Sequence, residues 1–196
     1  IGKNTAVGSV TKSAASGKIV TFKKYIGGLV GRNAGSVSYS SSSVTLEGPF
    51  SEVNDVSSVG GLIGYQEGGE VAINYFNGSI EVSDFFEYVG GLIGVNAGGM
   101  SKLLYSNGDV NGDNDDDTVN GHLGQDGAGG CTNCYFNYDK TGLDEADPAA
   151  DGGKDLTALK EQATFSGFNF DTAPVDWIIE EGVGAPTLAW ESEEEE

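Results

Sequence analysis

Apolar and polar residues alternate along this chain in short runs, each closed by Gly, Asn, Asp or Ser. A period of two predicts β-strands rather than helices. The runs come in groups of three, and the groups recur. Ile26-Gly-Gly-Leu-Val-Gly31, Val59-Gly-Gly-Leu-Ile-Gly64 and Val89-Gly-Gly-Leu-Ile-Gly94 are followed by a looser Asn120-Gly-His-Leu-Gly124. Taking Leu29, Leu62, Leu92 and Leu123 as equivalent gives spacings of 33, 30 and 31 residues. Self-similarity at such a period marks stacked structural units.

Each unit continues past its glycine motif into a second run. These runs begin at Gly35, Gly69, Gly99 and Gly130, and a third run follows in which Leu46, Ile80 and Val110 are equivalent. The first residues fit the same frame: Ile1-Gly-Lys-Asn4 matches Val30-Gly-Arg-Asn33, Gly8-Ser-Val10 matches Gly35-Ser-Val37, and Gly17-Lys-Ile19 matches Gly78-Ser-Ile80. The chain is therefore expected to start inside a repeat, with further repeats upstream or a first coil exposed by processing.

One unit cannot bury its apolar face alone, so the units must stack. The predicted fold is all-β, a β-solenoid of about four to five coils whose strands pair at a spacing of about 4.8 Å. Leu29, Leu62, Leu92 and Leu123 are expected to form one interior column, with Val30, Ile63 and Ile93 beside it. Tyr75, Tyr105 and Phe136 are expected to align, and the serines Ser38 and Ser40 to Ser43 stand where later repeats carry aromatics. His122 reads as a substitution at the second glycine of a degenerate last coil.

Residues 1–138 form the repeat region, its first coil truncated. Residues 139–190 read as a loop, a short helix over Asp155 to Ala163 with Asp155 as N-cap, and capping strands. Phe165, Phe168, Phe170, Trp177, Ile178, Ile179, Leu188 and Trp190 supply the core of this C-terminal cap, which would cover an edge otherwise open to aggregation. Residues 191–196 form an acidic tail.

Composition narrows the function. Thirty acids against ten Lys and Arg give a net charge of −20. Nucleic-acid affinity rests on neutralising phosphates, so nucleic acid is excluded as a partner. No apolar run approaches the length of a membrane helix, and none is expected to span a bilayer. An acid excess of this size suits high salt, a marine source or a calcium-rich extracellular setting.

The repeats resemble the GLUG motif, named for a Gly-Leu-x-Gly signature that stands here at Gly28 to Gly31, Gly61 to Gly64 and Gly91 to Gly94. The resemblance covers roughly residues 1–140. The remainder is similar to the ends of such arrays, with its Asn-Cys-Tyr-Phe-Asn137 run, the Asp-Lys-Thr-Gly142 turn and the closing Trp190. The resemblance implies a right-handed β-helix, a secreted or cell-surface location in bacteria or archaea, and adhesin-like proteins as relatives. It carries no catalytic residues.

The most suggestive chemistry is a run of oxygen ligands. Asn107, Asp109, Asn111, Asp113, Asp115 and Asp117 have the spacing of the first part of a calcium loop, although Thr118 stands where a bidentate Glu is expected. Ca²⁺ is the one cofactor suggested. Cys131 and Cys134 form a CxxC that lacks the further ligands of a zinc site. A disulfide between residues three apart needs a turn, so a local disulfide and a buried thiol pair both remain open. Asn77-Gly-Ser79 is an N-glycosylation acceptor pattern. No catalytic residues are assigned. The sequence points to a non-catalytic extracellular module for adhesion or as a stalk, with a glycan or a surface protein as partner. The alternatives are a subunit that binds copies of itself end to end into filaments, and a polysaccharide-degrading β-helix enzyme.

Overall fold

The structure is a computed structural model that describes residues 1–21, 24–48, 57–82, 87–111, 119–127, 130–141 and 152–193. Its strands stack as a parallel β-solenoid with three sheets. A five-stranded sheet carries Lys3–Asn4, Val30–Asn33, Ile63–Gln66, Ile93–Asn96 and Leu123–Asp126. A four-stranded sheet carries Tyr25–Gly27, Ser58–Gly60, Tyr88–Gly90 and Val119–Asn120. The ten-stranded sheet holds the remaining coil strands, among them Ser36–Glu47, Glu70–Phe76 and Met100–Ser106. The first coil pairs where its sequence places it, with Asn4 opposite Asn33, Val10 opposite Val37 and Ile19 opposite Leu46.

The glycine motif is where two sheets meet at a tight turn. A Cβ on Gly60 would meet the carbonyl oxygen of Ile63 and the amide of Gly94 in the next coil. Both obstacles are backbone, so only glycine fits. The apolar residues of the motif then fall inside. Ile26, Val59 and Val89 join Val30, Ile63 and Ile93 in one buried core.

The fourth coil corrects the expected alignment by one residue. Leu123 lies opposite Ile93, and Asn120 opposite Gly90. The spacing is thus 30 residues, His122 ends the Leu29, Leu62 and Leu92 column, and Asn120 takes the place of the first glycine. The second glycine is kept as Gly121, because a Cβ there would enter the ring of Phe136. The same slip affects the aromatics. Tyr135, not Phe136, continues Tyr75 and Tyr105, while Phe136 lies opposite Ser106. A shift of one position exchanges inside for outside along a strand. Phe136 therefore points into the core, and Tyr135 out toward the C-terminal segment.

The ten-stranded sheet contains a bend that the sequence did not announce. Tyr39, Ile73, Leu103 and Asn133 have positive φ, between 50° and 58°, and Lys12 has φ 44° in the first coil. Their flanking pairs place them at one register position. A β-branched residue such as Ile73 resists this conformation. The bend persists in every coil because it lets residues on both sides of it face inward. Cys131 and Cys134 use it: with Asn133 turned left-handed, their Cα atoms lie 5.6 Å apart and they form a disulfide. Ile73 and Leu103, pushed outward, pack on the C-terminal aromatic cluster.

Polar side chains stack as well as apolar ones. Asn4 Nδ2 donates to Asn33 Oδ1 at 2.8 Å, and Asn33 Nδ2 donates to Gln66 Oε1 at 2.7 Å. All three are buried. Asn96 donates separately to Asp126 at 3.2 Å. The Asn4–Asn33–Gln66 ladder pairs amides at the corner that follows the five-stranded sheet, where burial without partners is costly; one coil on, Asn96 Oδ1 is buried with no hydrogen-bond partner among the described residues.

The C-terminal segment differs from a cap set on the end. Gly153–Lys154 does extend the ten-stranded sheet beyond Tyr135–Asn137. The rest runs back along the flank of the solenoid. The helix expected over Asp155 to Ala163 is instead two 3₁₀ turns, Ala158–Lys160 and Gln162–Thr164. The N-cap of the first turn is Thr157 rather than the expected Asp155, although Asp155 Oδ1 accepts from the Ala158 amide at 2.6 Å. The α-helix is elsewhere, at Ala189–Glu193, so its last residues come from the stretch expected to be tail. Trp177, fully buried, packs on Phe168, Tyr105 and Tyr75 at 4.7, 5.7 and 6.2 Å between ring centroids.

Candidate functional site

The flank becomes a site where the tyrosine column stops. Tyr75, Tyr105 and Tyr135 project toward the C-terminal segment, but the preceding coil has Ser41 at that position. The smaller residue leaves room, and the Ala189–Glu193 helix occupies it. Glu191 accepts from Ser41 Oγ at 2.6 Å, from the Tyr75 hydroxyl at 2.8 Å and from the Leu188 amide at 3.2 Å. The Tyr105 hydroxyl donates to the Pro186 carbonyl. Burial, then the Glu191 carboxylate, holds the Tyr75 hydroxyl well above its ordinary pKa.

Beside this anchor, the helix and the first coils enclose a cleft of about 480 Å³. Tyr39, Trp190 and Pro174 provide much of its wall, and Lys12, Asp176 and Glu193 its charged groups. The walls are fixed. Trp190 Nε1 donates to the Tyr39 carbonyl at 2.8 Å. The Ala189 amide donates to the Asp176 carbonyl at 3.0 Å. Partial burial, then the charge of the nearby Asp176 carboxylate, raises the Tyr39 pKa. Both coil residues in the cleft, Lys12 and Tyr39, belong to the left-handed column. Rigid apolar walls with a few convergent polar groups are the usual form of a small-ligand site.

Two other surfaces stand out. Tyr25 and Tyr65 pack at 4.7 Å, with the Arg32 guanidinium 5.8 Å from the centre of the Tyr65 ring. Arg32 also makes two hydrogen bonds to Glu67, at 2.8 and 3.0 Å. A hollow of about 700 Å³ lies over the last coil, against His122, Leu123, Asp126 and Cys131. His122 stacks on Phe136 at 5.5 Å, and its Nδ1 lies 2.8 Å from Asn120 Oδ1.

The residues expected to hold a metal are only partly placed. Asp113, Asp115 and Asp117 lie outside the described residues. Asn107 accepts from Asn137 at 2.8 Å and donates to Asn77 at 3.3 Å, forming a second amide ladder. Asp109 is 3.8 Å from Lys140. Asn111 is exposed at the end of its strand. Among the described residues no group of three or more His, Cys, Asp or Glu is positioned for a metal. Asn77, the glycosylation candidate, is exposed in the turn before Ser79. Of the cleft residues, the sequence marks Glu193 as tail and Trp190 as core, and Trp190 does pack in part on the aromatic cluster. Lys12, Tyr39 and Asp176 carry no motif, and only the bend and the return of the C-terminal segment bring them together.

The stacked coils, their glycine hinges and the flanking C-terminal segment define a parallel β-solenoid of a repeat protein. Residues 24–47, the second coil, match the GLUG motif, and the paired strands of the next two coils repeat its geometry. No curated protein and no solved structure matches the chain. No helix among the described residues is long and apolar enough to cross a membrane.

Proposed function

We propose that this chain is a non-catalytic module of a secreted or cell-surface protein, acting in adhesion by binding a glycan. The cleft between the Tyr39 bend and the Trp190 helix is the observation that carries this reading. It joins aromatic walls to charged groups of both signs on a scaffold braced coil by coil. The Cys131–Cys134 disulfide supports an oxidising compartment. Calcium on segment 107–117 is a separate proposal, supported by the Asn and Asp spacing. A melting temperature that is the same in chelator and in millimolar Ca²⁺ would remove it.

The test is a glycan array probed in calcium, with any bound glycan then assayed for new reducing or unsaturated ends. Binding without cleavage supports the reading. Cleavage overturns its non-catalytic part, and absence of binding overturns its adhesive part.

One observation favours a second reading, end-to-end assembly of copies. Residues 1–46 hold six of the ten cations and no acid, whereas every acid lies from Glu47 onward. Opposite charge at the two ends would favour head-to-tail contact. Light scattering that shows a monomer at both low and high salt would dismiss it.

A further inference from the structure

The cleft at Tyr39 and Trp190 has a chemistry specific enough to name its ligand class. We infer that it binds a neutral saccharide, with Tyr39 and Trp190 as the ring-facing walls and Lys12 and Asp176 as the hydroxyl-binding groups. The inference rests on the adhesive reading above and assigns it a site.

Three features point to this class. Aromatic rings carry electron-rich faces, which suit the weakly positive C–H faces of a pyranose. Pro174 and Val175 continue the apolar wall. Hydroxyl groups both donate and accept, so a ligand rich in them can use a carboxylate and an ammonium group at once. The charged groups are one cation, Lys12, against two carboxylates, Asp176 and Glu193. A phosphate or a uronic acid would face the two carboxylates, a repulsion that a neutral ligand avoids. The volume of about 480 Å³ lies within the range of small-molecule sites.

The other surfaces are less open to such a ligand. Tyr25 and Tyr65 lie against each other, and the Arg32 fork is occupied by Glu67. The cleft is also held ready. Trp190 is tied to the Tyr39 carbonyl, the Ala189 amide to the Asp176 carbonyl, and the helix is anchored through Glu191 to Ser41 and Tyr75. Walls fixed in advance reduce the ordering cost of binding.

The two tryptophans make the test direct. Trp177 is fully buried and Trp190 lines the cleft, so a ligand there should change the emission of Trp190. The full chain would be titrated with cellohexaose, laminarihexaose and mannohexaose, with calorimetry alongside fluorescence. The expected result is saturable binding of at least one of them, with a tryptophan emission change. Asp176→Ala and Lys12→Asn should each weaken it by about tenfold or more, the scale of losing a hydrogen bond to a charged group. Asn is chosen because it tolerates the positive φ of Lys12. Circular dichroism and melting of both variants confirm that the fold is retained. If Asp176→Ala unfolds the segment, Lys12→Asn alone decides. Glycan binding unchanged in the folded variants overturns the cleft and leaves the adhesive reading standing. Binding confined to anionic glycans overturns the neutral class. No binding to the hexasaccharides or to the array overturns both.

Discussion

Replacing Phe76 by alanine tests the register on which the whole description depends. Phe76 is fully buried. It stands in an interior column with Ser42, Ser106 and Phe136, so large and small residues alternate from coil to coil. Its ring fills the space beneath Gly61, Gly78 and Gly108, where added Cβ atoms would collide with it. Removing a buried phenyl ring costs about 3–5 kcal/mol when the surroundings cannot close over the hole. Closure is hindered here because the coil backbones are pinned across the gap, for example by Asn107 N–H to the Phe76 carbonyl at 2.8 Å and Gly61 N–H to the Gly90 carbonyl at 3.2 Å. In a chain of this size each kcal/mol moves the melting temperature by about 2–4 °C, so Phe76→Ala should lower it by roughly 6 to 20 °C. Ser106→Ala, one coil along the same column, is the control. The Ser106 hydroxyl is buried and has no hydrogen-bond partner among the described residues, so its loss should change stability by less than about 1 kcal/mol. Thermal melts by circular dichroism and urea titrations with compared m-values measure both. A Phe76→Ala variant within 1 kcal/mol of the parent, or a Ser106→Ala loss as large as that of Phe76→Ala, would refute the interior column.

Further outcomes follow from the same geometry. The Cys131–Cys134 bridge closes a very short loop, so its reduction should cost about 2 kcal/mol or less by chain entropy; loss of the entire fold in reductant would contradict this. Asn33→Ala breaks the buried amide ladder and leaves the Gln66 carbonyl oxygen without its donor, a loss of about 1–3 kcal/mol. Asn77→Ala, at an exposed rung, should cost less, and equal losses in chemical denaturation would argue against the ladder. The Arg32 hydrogen bond, reinforced by its charge, holds Glu67 below the ordinary glutamate range. The folded state therefore favours ionised Glu67. Its contribution is complete above the unfolded glutamate pKa and is lost as pH falls through the lower folded value. Carboxyl NMR should show Glu67 titrating low in the parent and higher in Arg32→Ala; identical curves would rule the pairing out in solution.

The strands, the parallel stacking and the first three coils were legible in the sequence, because apolar residues at a fixed period must coincide when coils stack at a constant spacing. The register of the last coil was also present but misread. Val89 to Val119, Gly94 to Gly124 and Tyr105 to Tyr135 all keep a 30-residue step, whereas the Leu92 to Leu123 step does not. An anchor on one conspicuous leucine overrode three quieter matches. Steric exclusion of any Cβ between Gly121 and the Phe136 ring is what fixes the step at 30.

Local chemistry along the chain thus determined the coil: where glycine must stand, which residues enter the core, and how many residues make a turn. Tertiary structure alone decided the rest. The left-handed bend at Tyr39, Ile73 and Leu103 opposes the intrinsic preference of these residues, Asn133 alone being suited to it, and it forms because packing on both sides outweighs local strain. The path of the C-terminal segment along the flank depends on Ser41 leaving a gap beside Tyr75, with Glu191 placed to fill it. The cleft exists only because Lys12 and Tyr39 meet Asp176 and Trp190, partners separated by well over a hundred positions in sequence. No spacing rule reaches that far. Such contacts are set by which surfaces remain unburied once the coils have stacked.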